Sequence, residues 1–213
     1  MLLGARQFFE RRGAPTPPLP YDAEVEYLES TGTQYIDTGI FARDNLLVNS
    51  RFKADSYGSA TNFVFRGSSQ GSTGSENIAV VYIRNNNAVR AGMNSSLLAS
   101  GVSFSLSEWH DVELDTTGGN KSFKYDGSIL IALNTSSDAV GTSGIILFAN
   151  TTTSRTTGTK IQTFSVKDTT TGQMMIDLDS VRKNGVGYMY DRVSGNLFGN
   201  AGTGAFTIGP DKS

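Results

Sequence analysis

The sequence contains no cysteine, and this absence removes three kinds of chemistry together. Disulfide bonds, thiolate metal sites and thiol nucleophiles are all excluded, although a large β-sandwich does not require any of them. Long apolar runs are also missing, since none approaches the roughly 18 to 20 residues that a membrane-spanning helix needs. We therefore expect no membrane span.

Positive charge is scarce as well. The 18 lysines and arginines are outnumbered by 20 aspartates and glutamates, which gives a formal net charge of −2 and a pI near 5.4. No stripe of basic residues interleaves with aromatic residues, so nucleic acid is not an expected partner. Residues 1–5 are too short for the apolar region of a secretory signal, and charged residues follow them closely. We expect synthesis in a host cytoplasm without export by the secretory route.

Several catalytic and phosphate-binding motifs are missing too. The sequence has no Gly-x-Ser-x-Gly elbow, no His-Glu-x-x-His pair and no glycine-rich loop set between a strand and a helix. We therefore predict no catalytic residue.

Two segments of different composition divide the chain into an N-terminal arm, residues 1–20, and a domain, residues 21–213. A short helix near the start would gather some of its four apolar side chains on one side, and two arginines near its end could pair with acidic groups of a partner. Four of the five prolines then fall between positions 15 and 20, which predicts an extended spacer of about 20 Å. The arm residues expected to bind a partner are Leu2, Leu3, Phe8, Phe9, Arg11 and Arg12.

The domain shows short β-type runs separated by Gly, Ser, Thr and Asn, which is typical of an antiparallel sandwich. Predicted strands are residues 46–54, 62–66, 77–84, 88–93, 109–115, 121–125, 128–133, 144–149, 159–168 and 173–178. The Asp126-Gly127 pair predicts a two-residue hairpin turn with positive φ. Residues 67–75 and 151–158 are expected to be surface loops.

Both ends of the domain resemble a known family. Residues 24–40, EVEYLESTGTQYIDTGI, and 185–210, GVGYMYDRVSGNLFGNAGTGAFTIGP, closely resemble the opening and closing segments of laminin-G-like, concanavalin A-type jelly-roll domains of phage and gut-bacterial proteins. The resemblance implies an all-β, two-sheet antiparallel jelly-roll sandwich. It also implies that the strand near residues 24–28 lies close to the strand near residues 204–208.

The segment 109–115, WHDVELD, holds the sole tryptophan, the sole histidine and three carboxylates. Its alternation predicts a half-buried strand with one wet face. Glycoside hydrolases of the laminarinase type share the implied fold and use a Glu-x-Asp-x-x-Glu strand. Glu113 and Asp115 match its first two acids, but Gly118 stands where the second glutamate is required, which argues against hydrolysis.

The sequence patterns that could mark a metal site or a glycan site are weaker than those that indicate the fold. Related jelly rolls often carry Ca²⁺ on a loop rim, and the acids of suitable type are Asp37, Asp44, Asp55 and Asp138. Their spacing singles out no set, so no metal or other cofactor is expected. Glycan binding, the family's commonest small-ligand role, would use exposed aromatic and amide side chains, for which the candidates are Tyr57, Tyr82, Asn85, Asn86 and Asn87.

The resemblance and the arm together favour a non-enzymatic structural protein of a phage particle. The arm would anchor it to other virion proteins in an oligomeric assembly, and the jelly roll would contact host-surface glycans. One alternative is a free glycan-binding module or bacterial surface lectin, which the missing export signal disfavours. Another is a carbohydrate-active enzyme, which Gly118 disfavours.

Overall fold

The computed structural model describes residues 18–57, 61–68, 77–84, 87–93, 96–119, 121–133, 140–152 and 156–213. Within these ranges no residue is helical, and the strands form two antiparallel sheets. None of the described segments forms a helix long and apolar enough to cross a membrane. The predicted all-β, two-sheet antiparallel jelly-roll sandwich is confirmed. The six arm residues named above lie outside the described ranges, so their role stays a prediction.

Seventeen strands make up the described fold. In chain order they are β1 (Ala23–Glu24), β2 (Leu28–Thr31), β3 (Ile36–Arg43), β4 (Leu46–Ala54), β5 (Thr61–Ser68), β6 (Asn77–Arg84), β7 (Ala88–Met93), β8 (Ser96–Ser103), β9 (His110–Asp115), β10 (Lys121–Tyr125), β11 (Ser128–Leu133), β12 (Val140–Leu147), β13 (Thr157–Asp168), β14 (Met174–Lys183), β15 (Val186–Asp191), β16 (Leu197–Phe198) and β17 (Thr207–Ile208).

The large sheet has eleven strands, ordered β11-β10-β9-β4-β13-β14-β15-β16 along its main path. Strand β1 pairs with β14, β2 pairs with β13, and β17 pairs with β2. The small sheet has six strands, ordered β3-β12-β5-β6-β7-β8.

The core lies between the two sheets because strands such as β4 alternate in polarity. Leu46, Val48 and Phe52 are fully buried, whereas Leu47, Asn49 and Arg51 are half-buried and point to the opposite face. Phe65 of the small sheet meets Phe164 of the large sheet edge to face, with ring centroids 5.5 Å apart. The side of the large sheet that faces away from this core is called the outer face below.

The ends of the domain meet as the resemblance implied. Leu28 of β2 pairs with Ile208 of β17, and Val25 forms a bridge with Asp211. The predicted approach of the two segments is confirmed.

Most predicted strands are present, and five match the structure at both ends: β4, β6, β7, β10 and β11. Strand β8 was missed because its serines and glycine interrupt any alternation, and β14 continues to Lys183, five residues beyond its predicted end. Gly67 was expected in a surface loop but is buried within β5, where an added Cβ would lie 2.3 Å from that of Ala42. The hairpin turn is confirmed, with φ of 47° at Asp126 and 78° at Gly127.

Candidate functional site

Four adjacent strands align polar side chains in two rows across the outer face. Strands β9, β4, β13 and β14 lie side by side, and residues directly opposite each other point to the same face. One row consists of Glu113, Asn49, Ser165 and Asp177, and the next of Asp111, Arg51, Thr163 and Asp179. Lys124 of β10 extends the first row beside Glu113.

A cleft of about 370 Å³ opens over these rows. We call it the outer cleft. Its lining side chains from the two rows are Asn49, Arg51, Asp111, Glu113, Lys124, Thr163, Ser165 and Asp177. The cleft therefore carries hydroxyls, an amide and both signs of charge on the rigid surface of a sheet.

Two ion pairs hold the charged side chains at one side of the outer cleft. Arg51 Nη1 lies 2.6 Å from Asp111 Oδ2, and Lys124 Nζ lies 2.5 Å from Glu113 Oε1. The hydrogen bond to Glu113 raises the pKa of Lys124 above its ordinary value. Both cations thus have a carboxylate partner before any ligand arrives.

Asp177, at the other side of the outer cleft, has no such partner. Within the described part of the chain its carboxylate makes no ion pair and no hydrogen bond, although it lines the cleft. Arg192, in the turn that follows β15, donates its backbone N–H to the Asp177 carbonyl. The guanidinium of Arg192 instead pairs with Asp179 and with Glu24.

A second cleft, of about 320 Å³, continues the outer face toward β2 and shares Arg51 with the outer cleft. Trp109 and Gln162 line it, and the Trp109 ring lies 6.3 Å from that of Tyr27. The ammonium of Lys53 lies 5.1 Å from the centroid of the Trp109 ring. The ring of Trp109 and the ammonium of Lys53 therefore lie beside the polar rows at this end of the outer face.

His110 belongs to the core rather than to either cleft. Its Nδ1 lies 2.7 Å from the Tyr125 hydroxyl and 2.8 Å from Asp126 Oδ2, and its Nε2 lies 3.0 Å from the Ser105 carbonyl. Both ring nitrogens are thus engaged by partners from the protein itself, and the ring is only 4% exposed. The Trp-His pair thus begins a core strand.

The described members of the predicted glycan-binding set, Tyr57, Tyr82 and Asn87, do not line the outer cleft. Tyr57 is half-buried and donates its hydroxyl to the Phe104 carbonyl at 3.0 Å. Tyr82 was expected to be exposed, and this is wrong: it is 6% exposed because Phe63 stacks on it from the adjacent strand. Asn87 is exposed in the turn before β7. Asn85 and Asn86 lie outside the described residues, and glycan contact by this set stays a prediction.

The three described acids that were considered as Ca²⁺ ligands have other partners. Asp44 pairs with Lys121, and Asp55 pairs with Lys160, whose hydrogen bond lowers the pKa of Asp55. Asp37 accepts a hydrogen bond from the Gly39 backbone, and Asp138 lies outside the described residues. Among the residues that the structure describes, no three His, Cys, Asp or Glu side chains are grouped to hold a metal ion.

Sequence reasoning identified the wet face of 109–115 but missed its neighbours. Gly118 is exposed in a turn, whereas Asp111 and Glu113 share the outer face with residues of β4, β13 and β14. The signal for those neighbours is the same period-2 alternation, seen at Asn49 and Arg51 and again at Thr163 and Ser165. The alternation does not reveal which strands are adjacent.

No family model and no curated protein sequence matches the chain. Among solved structures, a "putative carbohydrate binding protein" from Bacteroides ovatus ATCC 8483 is 12% identical with a TM-score of 0.62, and the match covers 89% of this chain and 61% of that one. A heptameric SAP-like pentraxin from Limulus polyphemus is 14% identical with a TM-score of 0.53, covering 90% and 96%. Trypanosoma rangeli sialidase matches at 11% identity and a TM-score of 0.48, and this chain spans only 20% of its length. The first two likenesses show that the fold is a two-sheet antiparallel jelly roll.

Proposed function

We propose that this domain binds glycans through the outer cleft, without cleaving them. The observation that carries the proposal is the pair of polar rows, which present the outer cleft's hydroxyls, amide and charges side by side on four paired strands. Such a lining suits a ligand covered with hydroxyl groups, because each sugar hydroxyl both donates and accepts.

The geometry limits the cost of binding. Asn49, Thr163 and Ser165 project from the central strands of the large sheet, so little backbone ordering is needed when a ligand enters. The Arg51–Asp111 pair fixes a charged donor and acceptor in advance, and hydrogen bonds to charged groups are stronger than those between neutral groups. Trp109, at the adjoining cleft, offers an apolar edge for the faces of sugar rings. The fold likeness to the Bacteroides ovatus protein also supports this function.

A glycan array followed by titration calorimetry on the full chain tests the proposal. Asn49→Ala should weaken binding of any ligand found by about fivefold or more, because one lost hydrogen bond is worth roughly 1 kcal/mol. Ser122→Ala is the matched control, since Ser122 lies on the outer face of β10 but not in the outer cleft. Equal loss in both variants, or no binding to any glycan on the array, would count against the cleft.

We propose further that the domain is displayed on a phage particle, held by residues 1–20. The support is the sequence: apolar residues Leu2, Leu3, Phe8 and Phe9, then Arg11 and Arg12, then the proline-rich spacer. Burial of one Leu or Phe side chain contributes roughly 1.5 to 3 kcal/mol, and ordering the arm consumes part of that gain. Display in many copies would raise the avidity for a glycan-covered surface by a factor of about 10² to 10⁴ over that of one site.

Deletion of residues 1–20 should leave a folded sandwich that no longer associates with particles. The double variant Phe8→Asp with Phe9→Asp should do nearly the same, and Gln7→Ala should not. Sedimentation of particles with bound and free domain measures the occupancy. Wild-type occupancy of the truncated domain would exclude the arm as the anchor.

A further inference from the structure

We infer that Asp177 makes the outer cleft selective for uncharged and amino sugars over acidic ones. The inference rests on the proposed glycan binding and names the sugar class that the same site accepts. The inference follows from the two ion pairs of the outer cleft, which leave one of its carboxylates without a cation.

The outer cleft carries three carboxylates and two cations among the described residues. Both cations are committed, Arg51 to Asp111 and Lys124 to Glu113. The carboxylate of Asp177 is therefore the uncompensated charge of the lining, and it stands beside the hydroxyl of Ser165.

The cations nearest to Asp177 in the fold pair elsewhere or lie beyond reach. Arg192 and Lys212 both contact Asp179, the other outward acid of β14. Lys167, two residues from Ser165 on β13, forms no ion pair with Asp177 in the described structure. The residues directly opposite across β13 and β4 are Ser165 and Asn49, which are neutral.

An uncompensated carboxylate distinguishes sugars by charge. It accepts hydrogen bonds from two neighbouring hydroxyls of a neutral sugar, and it attracts the ammonium of an amino sugar. The carboxylate or sulfate of an acidic sugar meets a like charge a few ångströms away, in a cleft whose dielectric constant is lower than that of water. We expect acidic sugars to bind at least about tenfold more weakly than neutral ones.

The test compares hexose, hexosamine and hexuronic acid oligosaccharides of the gluco, galacto and manno series, titrated into the full chain. Asp177→Asn removes the charge while keeping the shape, and its effect on folding should be small because no described residue pairs with the carboxylate. Asp115→Asn is the matched control: it makes the same change on the outer face of β9, outside the outer cleft.

Wild-type protein and Asp115→Asn should both favour neutral and amino sugars. Asp177→Asn should raise the affinity for acidic sugars by about tenfold and weaken that for amino sugars. Unchanged selectivity in Asp177→Asn, or equal binding of acidic and neutral sugars by the wild-type chain, overturns the inference and leaves glycan binding intact. Binding of no oligosaccharide overturns both.

Discussion

The carboxylate of Asp191 accepts a hydrogen bond of 2.9 Å from the backbone N–H of Asp177. Asp191 is 2% exposed and also accepts from the backbone N–H groups of Val193 and Ser194, at 3.1 and 3.0 Å. The turn that follows β15 is thereby tied to β14 at the residue that lines the outer cleft. Asp191, which is too buried to contact a ligand, thus holds the backbone of Asp177, which is proposed to bind one.

Asp191→Asn should lower the free energy of unfolding by about 1 to 3 kcal/mol at pH 7, because a buried charged acceptor is replaced by a weaker one. Burial raises the pKa of Asp191, but hydrogen bonds from Ser194 and from the backbone outweigh it, so the folded-state pKa lies below the ordinary 3.8. A depressed pKa stabilises the fold above the unfolded-state value, and that stability is lost as the pH falls through the folded-state value. The difference from wild type should therefore shrink as the pH falls below about 4.

Urea unfolding at a series of pH values measures this difference. Glu108→Gln is the control, because Glu108 is exposed and forms no ion pair in the described structure. A difference for Asp191→Asn that stays constant from pH 7 to pH 2 would show that the carboxylate charge is not what stabilises the turn.

Gly127→Ala should destabilise the domain by about 1 to 2 kcal/mol. Gly127 has φ of 78°, and an added Cβ would meet no atom within 4 Å, so the cost is the left-handed backbone itself. Gly118→Ala is the matched control, since Gly118 does not have positive φ and its Cβ would lie 3.6 Å from Asn45 Oδ1. Thermal unfolding should show a lower midpoint for the first variant alone, and equal shifts would contradict the hairpin geometry.

Tyr125→Phe should destabilise the core by about 1 to 3 kcal/mol. The Tyr125 hydroxyl and His110 Nδ1 form a buried hydrogen bond of 2.7 Å, and phenylalanine removes one of its two partners. Tyr190→Phe is the control, because the Tyr190 hydroxyl makes no hydrogen bond within the described residues. Chemical denaturation of both variants tests this, and a neutral Tyr125→Phe would show that the hydroxyl is not required.

The chain should release no reducing ends from β-glucans, galactans or host capsule. Hydrolysis of a glycosidic bond requires two carboxyl groups with separate roles, placed on either side of the bond. Glu113 is paired with Lys124, Asp111 is paired with Arg51, and Gly118 has no carboxyl group to offer. A reducing-end assay checks this, with Glu113→Gln in parallel, and release that disappears in the variant would prove the prediction wrong.

Local pattern was enough to predict the strands and the hairpin, since alternation and the Asp-Gly turn depend on a few consecutive residues. Strand β8 was not predicted because its Ser and Gly residues interrupt the alternation. Tyr82 was wrongly expected at the surface because the ring that buries it belongs to Phe63, nineteen positions earlier in the chain. The resemblance of the two end segments was needed to bring β2 and β17 together.

The sequence by itself determined that the domain is an antiparallel sandwich and that residues 109–115 form a strand with one wet face. Only the tertiary structure decided which wet faces adjoin. Asn49, Glu113 and Ser165 come from distant parts of the chain, and they share a row because β4 lies between β9 and β13 in one register. The physical reason is that pairing partners are chosen by burial of the whole inner face and by long-range backbone hydrogen bonds. The outward side chains that form the outer cleft contribute less to that choice, through ion pairs such as Arg51–Asp111.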